Sequence, residues 1–425
     1  MQTSWRIPLV YGAGALGVAA TGFVTSSWLL YFYVPPDGVA RFPAGWYGLA
    51  TLASYAFSMI LIPWIGYISD RTQTRWGRRY PFLALSALPA TLFFLMLWMP
   101  PAAAESPHNF FHLLFFLIAF KAATGFYQVP YQALLTDLAD SDTLRVRLSA
   151  WQSACMLLGF LLGGVAGLAI ERGGYRQMAL IYAVIMLVTH FLPLLAGRPQ
   201  NYPIPCEKPA FGKSLRVTLS NRVFLLFTTV WTLSVMASSL VQSSIPYLAT
   251  EVCEMSEGDT VYFFIPAVLA SLICYPLITH LARRFGKWRV YAGALLASAL
   301  VYPATMLLGR WLLLPLPLQC ASWAVLQAAA VSGTLVLSVA FVAEVTVYDQ
   351  QATGERREGM YFAIAKVFEQ LLTGLASLLL PLLLLLGRSR LDAHGPLGVR
   401  LAGVIGGILV LVAFFCFLKY PYRSN

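Results

Sequence analysis

The chain has 425 residues, of which 59% are hydrophobic and only 11% charged, and its mean hydropathy is +0.70. Soluble domains carry about 25% charged residues, so this composition excludes a chain wetted on all sides. The net charge of +11 is spread over many short loops and forms no continuous stripe, which argues against a nucleic-acid partner.

From the N-terminus, Arg6 precedes an apolar run over 7–34. That run is too long for the core of a signal peptide and reads as a retained first helix. The following apolar segments span about 44–68, 80–100, 110–138, 148–170, 177–196, 222–250, 258–281, 288–309, 312–346, 359–387 and 399–419. Each reaches about 20 residues, the length an α-helix needs to cross roughly 30 Å of hydrocarbon. The expectation is therefore an all-α membrane protein of twelve transmembrane helices.

Between the second and third segments lies a polar knot, Gly66–Pro81, carrying Asp70, Arg71, Arg75, Arg78 and Arg79. Five charges cannot sit in lipid, so the knot is a turn at a membrane face. With both termini cytoplasmic, twenty Lys and Arg fall inside and seven outside, leaving Lys121 and Lys366 within segments. The positive-inside rule therefore orients the knot toward the cytoplasm, in a bacterial inner membrane. The longest hydrophilic interval, 198–221, holds Pro199, Pro203, Pro205 and Pro209. It reads as a cytoplasmic linker between six-helix bundles at 1–197 and 222–425.

The two halves echo each other. Gly77-Arg78 after the second segment corresponds to Gly286-Lys287 after the eighth, at an offset of 209 residues. Arg145 and Arg147 correspond to Arg356 and Arg357 at offsets of 211 and 210. Parallel six-helix repeats are the plan of major facilitator transporters, which bind solute near the midplane.

Several stretches carry a family resemblance. Gly66-x-x-x-Asp70-Arg71-Thr72-x-x-Arg75-Trp76-Gly77-Arg78-Arg79-x-Pro81 resembles the signature of the glycoside–pentoside–hexuronide:cation symporters, the melibiose-permease branch of that superfamily. Tyr11-Gly-Ala-Gly-Ala-Leu-Gly17 resembles the family's first helix, and Pro130-Tyr-x-Ala-Leu-x-x-Asp137 its fourth. Tyr348-Asp349-x-x-x-Thr353-Gly354-x-Arg356-Arg357-Glu358-Gly359 resembles the loop entering its eleventh. The resemblance implies the major facilitator fold and symport of a sugar-like solute with a cation.

The loop charges have a physical use in such a carrier. Exposed ion pairs worth about 0–1 kcal/mol each can break and re-form as the gate moves. Asp70, Asp137 and Glu358, with Arg71, Arg75, Arg78, Arg79, Arg145, Arg147, Arg356 and Arg357, are the expected gate. The alternative is that the arginines only enforce topology and bind anionic lipid.

Within the segments the chain departs from the family. By the resemblance, the family's second-helix cation carboxylates fall on Ser58 and Ile62, its sugar-binding acids of the first and fourth helices on Ala19 and Gln128, and its eleventh-helix lysine on Gln370. A sodium ion wants several hard oxygen ligands with a carboxylate among them, so sodium coupling is not expected. The ionisable residues deepest in the segments are Lys121, His190, Lys366 and Glu369. Lys366 and Glu369 stand at i, i+3 and can pair, with Glu369 either a proton-coupling carboxylate or half of a structural pair. Lys121 shares a face with Gln128, near Gln132, and either binds an anionic solute, pairs with Glu369, or snorkels outward. His190 is expected to be packed. Tyr127, Trp151, Gln132, Ser58 and Gln370 complete the candidate solute and coupling residues.

The six cysteines, Cys155, Cys206, Cys253, Cys274, Cys320 and Cys416, show no C-x-x-C and no matched His, so neither a metal site nor a disulfide framework is expected. HExxH, GxSxG and P-loop motifs are missing, so no enzyme and no cofactor are expected. The leading expectation is a monomeric secondary transporter, proton-coupled or uncoupled, with a small organic solute, protons and membrane lipids as its partners. The alternatives are a carrier of an amphipathic or anionic solute, and a non-transporting assembly protein on the same fold.

Overall fold

The computed structural model describes residues 5–36, 39–72, 74–139, 141–196, 218–309, 314–353, 358–386 and 397–421. Most of the expected linker, 197–217, lies outside them. The chain divides into two compact units, Met1–Pro205 and Cys206–Asn425.

The first unit contains α1 (Arg6–Tyr33), α2 (Ala44–Arg71), α3 (Tyr80–Met96), α4 (Pro107–Leu138), α5 (Asp142–Gly164) and α6 (Ala166–Phe191). The second contains α7 (Arg222–Tyr247), α8 (Val261–Phe285), α9 (Lys287–Val301), α10 (Leu316–Thr353), α11 (Glu358–Leu383) and α12 (Leu397–Phe417). Eleven helices among the described residues have the length and hydropathy to cross a membrane. The exception is α3, whose 17 helical residues stop at Met96 although the apolar segment runs on to about residue 100. Within α6, Gly174 leaves the helical region at φ 69° and ψ 176°, and the sixth apolar segment begins beyond this break.

Helix starts are written in short polar residues. The Ser106 hydroxyl accepts the His108 amide at α4, and the Ser141 hydroxyl accepts the Leu144 amide at α5. At α7, Asn221 Oδ1 accepts the amides of Val223 and Phe224, while its Nδ2 donates to the Tyr361 hydroxyl on α11. Each cap satisfies amides that have no partner within the helix. Inside the spans, Thr21, Thr25, Thr51 and Ser58 donate to carbonyls four residues back, which hides their polarity from lipid.

Packing is set by small residues. In the first unit α1 lies on α5 and α6, α2 on α4, and α3 on α4 and α6. In the second, α7 lies on α11 and α12, α8 on α10, and α9 on α10 and α12. The same pairings recur six helices later, the internal repeat expressed in packing. Between α1 and α5 the two backbones come close together. A Cβ on Gly159 would lie 2.5 Å from the Leu16 carbonyl oxygen, and one on Gly12 would lie 2.8 Å from the Trp151 carbonyl carbon. Gly159 and Gly163 form a G-x-x-x-G on α5, the spacing that lets two membrane helices approach backbone to backbone.

Candidate functional site

At the Arg-rich end of the first unit, the turn between α2 and α3 depends on Gly77, whose φ of 93° suits glycine alone. The Thr74 hydroxyl donates to the Gly77 carbonyl at 2.6 Å and accepts the Trp76 amide at 3.2 Å, closing the turn. The chain then presents two consecutive guanidiniums to Asp137 near the end of α4. Arg78 Nε donates to Asp137 Oδ2 at 3.0 Å and Nη2 to Oδ1 at 2.5 Å, a bidentate fork. Arg79 Nε lies 3.5 Å from the same carboxylate, and Arg79 Nη1 donates to the Ser69 hydroxyl at 2.7 Å. Asp137 is only 3% exposed, so its charge is held by these donors rather than by water.

The second unit repeats the arrangement. Gly286 adopts φ 85°, and Lys287 Nζ then donates to Glu344 Oε2 on α10 at 2.9 Å. A left-handed glycine, a following cation and a carboxylate near the end of the unit's fourth helix therefore occur in both halves.

The Arg71 guanidinium lies 4.0 Å from the centre of the Tyr67 ring. Arg75 and Arg145 are exposed, and Arg147 is half-buried on the first turns of α5. Arg356 and Arg357, with the side chains of Asp70 and Glu358, lie outside the described residues.

Deeper in the spans, Lys121 of α4 is half-buried, with its ammonium 4.1 Å from the centre of the Tyr55 ring on α2. The ring face supplies negative potential that holds the cation without a carboxylate. Gln128 is exposed on α4. Gln132 accepts a hydrogen bond from Gln152 Nε2 at 3.2 Å, linking α4 to α5. Trp151 is 40% exposed beside α1. Ser58 is 5% exposed, and its hydroxyl donates to the Ser54 carbonyl at 2.9 Å.

In α11 the expected pair forms: Lys366 Nζ donates to Glu369 Oε1 at 2.6 Å. The Lys366 side chain is 56% exposed and that of Glu369 19%. Beside it, the buried Oε1 of Gln370 has no hydrogen-bond partner among the described residues.

Tyr127 is placed differently from the other candidates. It is fully buried, stacked 5.5 Å from Tyr131 and 3.9 Å from His190 between ring centres, and its hydroxyl donates to the His190 carbonyl. Tyr131 stacks in turn on Tyr11 at 4.8 Å. The tyrosines of the first- and fourth-helix motifs thus form a column with His190 that welds α1, α4 and α6, and His190 is packed as expected.

Two features escaped the sequence reading. One is the partner of Glu344: the sequence puts this acid near the cytoplasmic end of its segment, with the gate, but does not name Lys287. The other is the His190 end of the aromatic column, for which a lone histidine in an apolar segment gives no signal.

Among the described residues, apolar helices long enough to span a membrane, two units with one packing plan, and in each unit a basic turn that meets an acid of its fourth helix define a multi-pass secondary transporter of the major facilitator fold. The model of the MFS/sugar transport protein family matches residues 10–423. The chain belongs to that family, in its glycoside–pentoside–hexuronide symporter branch.

Among the relatives, the uncharacterized symporter sll1374 of Synechocystis is 30% identical over 170 residues, 39% of this chain and 31% of that protein. The glucuronide carrier protein homolog of Escherichia coli is 24% identical over 374 residues, 85% of this chain and 79% of that protein. Among solved structures, a D-xylose-proton symporter superposes with a TM-score of 0.73 at 16% identity, covering 98% of both chains. That likeness carries the fold alone. The family and the relatives named here are transporters, not enzymes.

Proposed function

We propose that this transporter carries a small glycoside-like organic solute by alternating access, coupled to protons or to no ion rather than to sodium. The observation that carries the coupling argument is the chemistry at the family's cation positions. Ser58 and Ile62 stand at those positions and offer no carboxylate, and the Ser58 hydroxyl is bonded to a helix carbonyl. A sodium ion there lacks the anionic oxygen that offsets its desolvation. The acid deepest in a span is Glu369, and its carboxylate, bonded to Lys366 at 2.6 Å, is the group a coupled proton would join.

On the substrate side, the relative named for glucuronide and the sugar-transport family support a glycoside. Lys121, held over Tyr55, supports an anionic one, because a cation without a carboxylate partner can meet a solute carboxylate. Proton-driven or passive carriage across a bacterial inner membrane, with both termini cytoplasmic, completes the reading and follows the basic-residue bias.

The test is transport in proteoliposomes with radiolabelled methyl glucuronide and neutral methyl glucoside, under imposed proton or sodium gradients. The expected result is counterflow of the glucuronide, accumulation with a proton gradient or none at all, and no response to sodium. Glu369→Gln should keep counterflow and lose proton-driven accumulation. Lys121→Gln should weaken the glucuronide by about tenfold, the loss of one charge-assisted contact, with little change for the glucoside. Accumulation driven by sodium alone would overturn the coupling argument, and exchange of neither solute would overturn the substrate class.

A further inference from the structure

Two of the buried thiols face each other. Cys253 follows the last turn of the α7 region, and Cys320 is on the second turn of α10. Their sulfurs are 3.9 Å apart across 67 residues of chain, with Cys253 5% and Cys320 0% exposed. The backbone before Cys253 is unusual. Leu248–Val252 winds as a π-turn, one residue wider than an α-turn, and Glu254 reverses the chain with a positive φ of 52°. Such a turn rotates the residues that follow it, and here it aims Cys253 at α10.

The pair also has a side. Cys320 stands near the start of α10, whereas Glu344, which binds Lys287, stands near its other end. The basic residues around Lys287 belong to the cytoplasmic set, so the cysteine pair is at the outer end of the second unit. This step rests on the orientation proposed above. Outside the cytoplasm, disulfides form and persist.

We infer that Cys253 and Cys320 form an intramolecular disulfide that ties the end of α7 to the start of α10. The spacing of the six cysteines gave no sign of it, because the pairing depends on a helix contact rather than on a motif. The oxidant is a disulfide, either of a periplasmic thiol oxidoreductase or of oxidised glutathione. The Cys253 thiolate attacks one sulfur of that disulfide and expels the other as a thiolate. The Cys320 thiolate then attacks the Cys253 sulfur of the mixed disulfide and expels the second. Two protons and two electrons leave the protein thiols, and the oxidant disulfide becomes two thiols. Cys253 is the reasonable first nucleophile: the Cys320 S–H donated to it and the nearby Arg400 guanidinium hold its thiol below the ordinary range. Because both partners belong to the second unit, the bond stiffens that bundle from within.

The experiment uses full-length protein in a bacterial host, with cells quenched in N-ethylmaleimide before lysis. Denatured protein is then counted for alkylated thiols by mass, with and without prior reduction, and digested for linked peptides. A reporter fused at the C-terminus reads the orientation separately. The expected result is four alkylated cysteines before reduction and six after, with one linked peptide joining Cys253 to Cys320. C253S and C320S should each show all five remaining thiols alkylated without reduction. Reduction should lower the thermal midpoint of the wild type and leave that of C253S/C320S unchanged. Six alkylated cysteines from unreduced cells, with the reporter cytoplasmic, would overturn the disulfide, as would a linked peptide joining any other pair. A reporter found outside would overturn the orientation and the disulfide with it.

Discussion

Asp137 and Glu344 occupy corresponding places in the two repeats, yet their surroundings differ. Asp137 is 3% exposed under the Arg78 fork, whose side chain is 22% exposed, with Arg79 beside it. Glu344 is 13% exposed under one ammonium, and the Lys287 side chain is 37% exposed. Removing one member of a buried, bidentate pair strands the other charge, which costs about 3 kcal/mol. A pair with one partner more than a third exposed and a single contact contributes less, about 1 kcal/mol. Asp137→Asn should therefore lower the unfolding midpoint in detergent clearly more than Glu344→Gln does. Equal shifts would show that water reaches both pairs alike.

Among the elements, α1 separates two kinds of glycine. Gly22 has open space where a Cβ would go, whereas Gly159 on the facing α5 would place a Cβ 2.7 Å from that of Ala19. In a helix, Gly→Ala contributes up to about 1 kcal/mol when nothing is in the way. Gly22→Ala should thus be neutral or stabilising, and Gly159→Ala should lower both the folded yield and the thermal midpoint. If Gly159→Ala were as stable as the wild type, close backbone approach of α1 to α5 would not be what requires glycine there. This contrast also explains what was legible in advance. The sequence marks Tyr11-Gly-Ala-Gly-Ala-Leu-Gly17 as special, but a helix that is apolar on every side carries no periodicity to say which face meets which neighbour. The same limit hid the partner of Asp137, 59 residues from Arg78, and put Tyr127 among solute candidates when its place is in the core. The spans themselves were readable, because each must satisfy its backbone internally over a fixed thickness.

For the whole molecule, the repeat separates charges that hold a bundle together from charges free to change partners. Arg78–Asp137 and Lys287–Glu344 each lie within one unit, so a carrier whose halves move as rigid bodies keeps them throughout the cycle. Their loss should act on stability, with transport per folded molecule nearly unchanged. The exposed loop charges have the opposite expectation: contacts worth about 1 kcal/mol or less can break and re-form at each turnover. By their place in the signature stretches of the sequence, we propose Asp70 and Arg357 for that second set. Neutralising either, as Asp70→Asn or Arg357→Gln, should reduce the rate of solute counterflow several-fold. Membrane insertion and thermal midpoint should stay close to wild type. Counterflow by equal amounts of folded protein, set against the Asp137→Asn variant, separates the two classes. Unchanged rates in both loop variants would assign the arginines to topology and lipid contact alone.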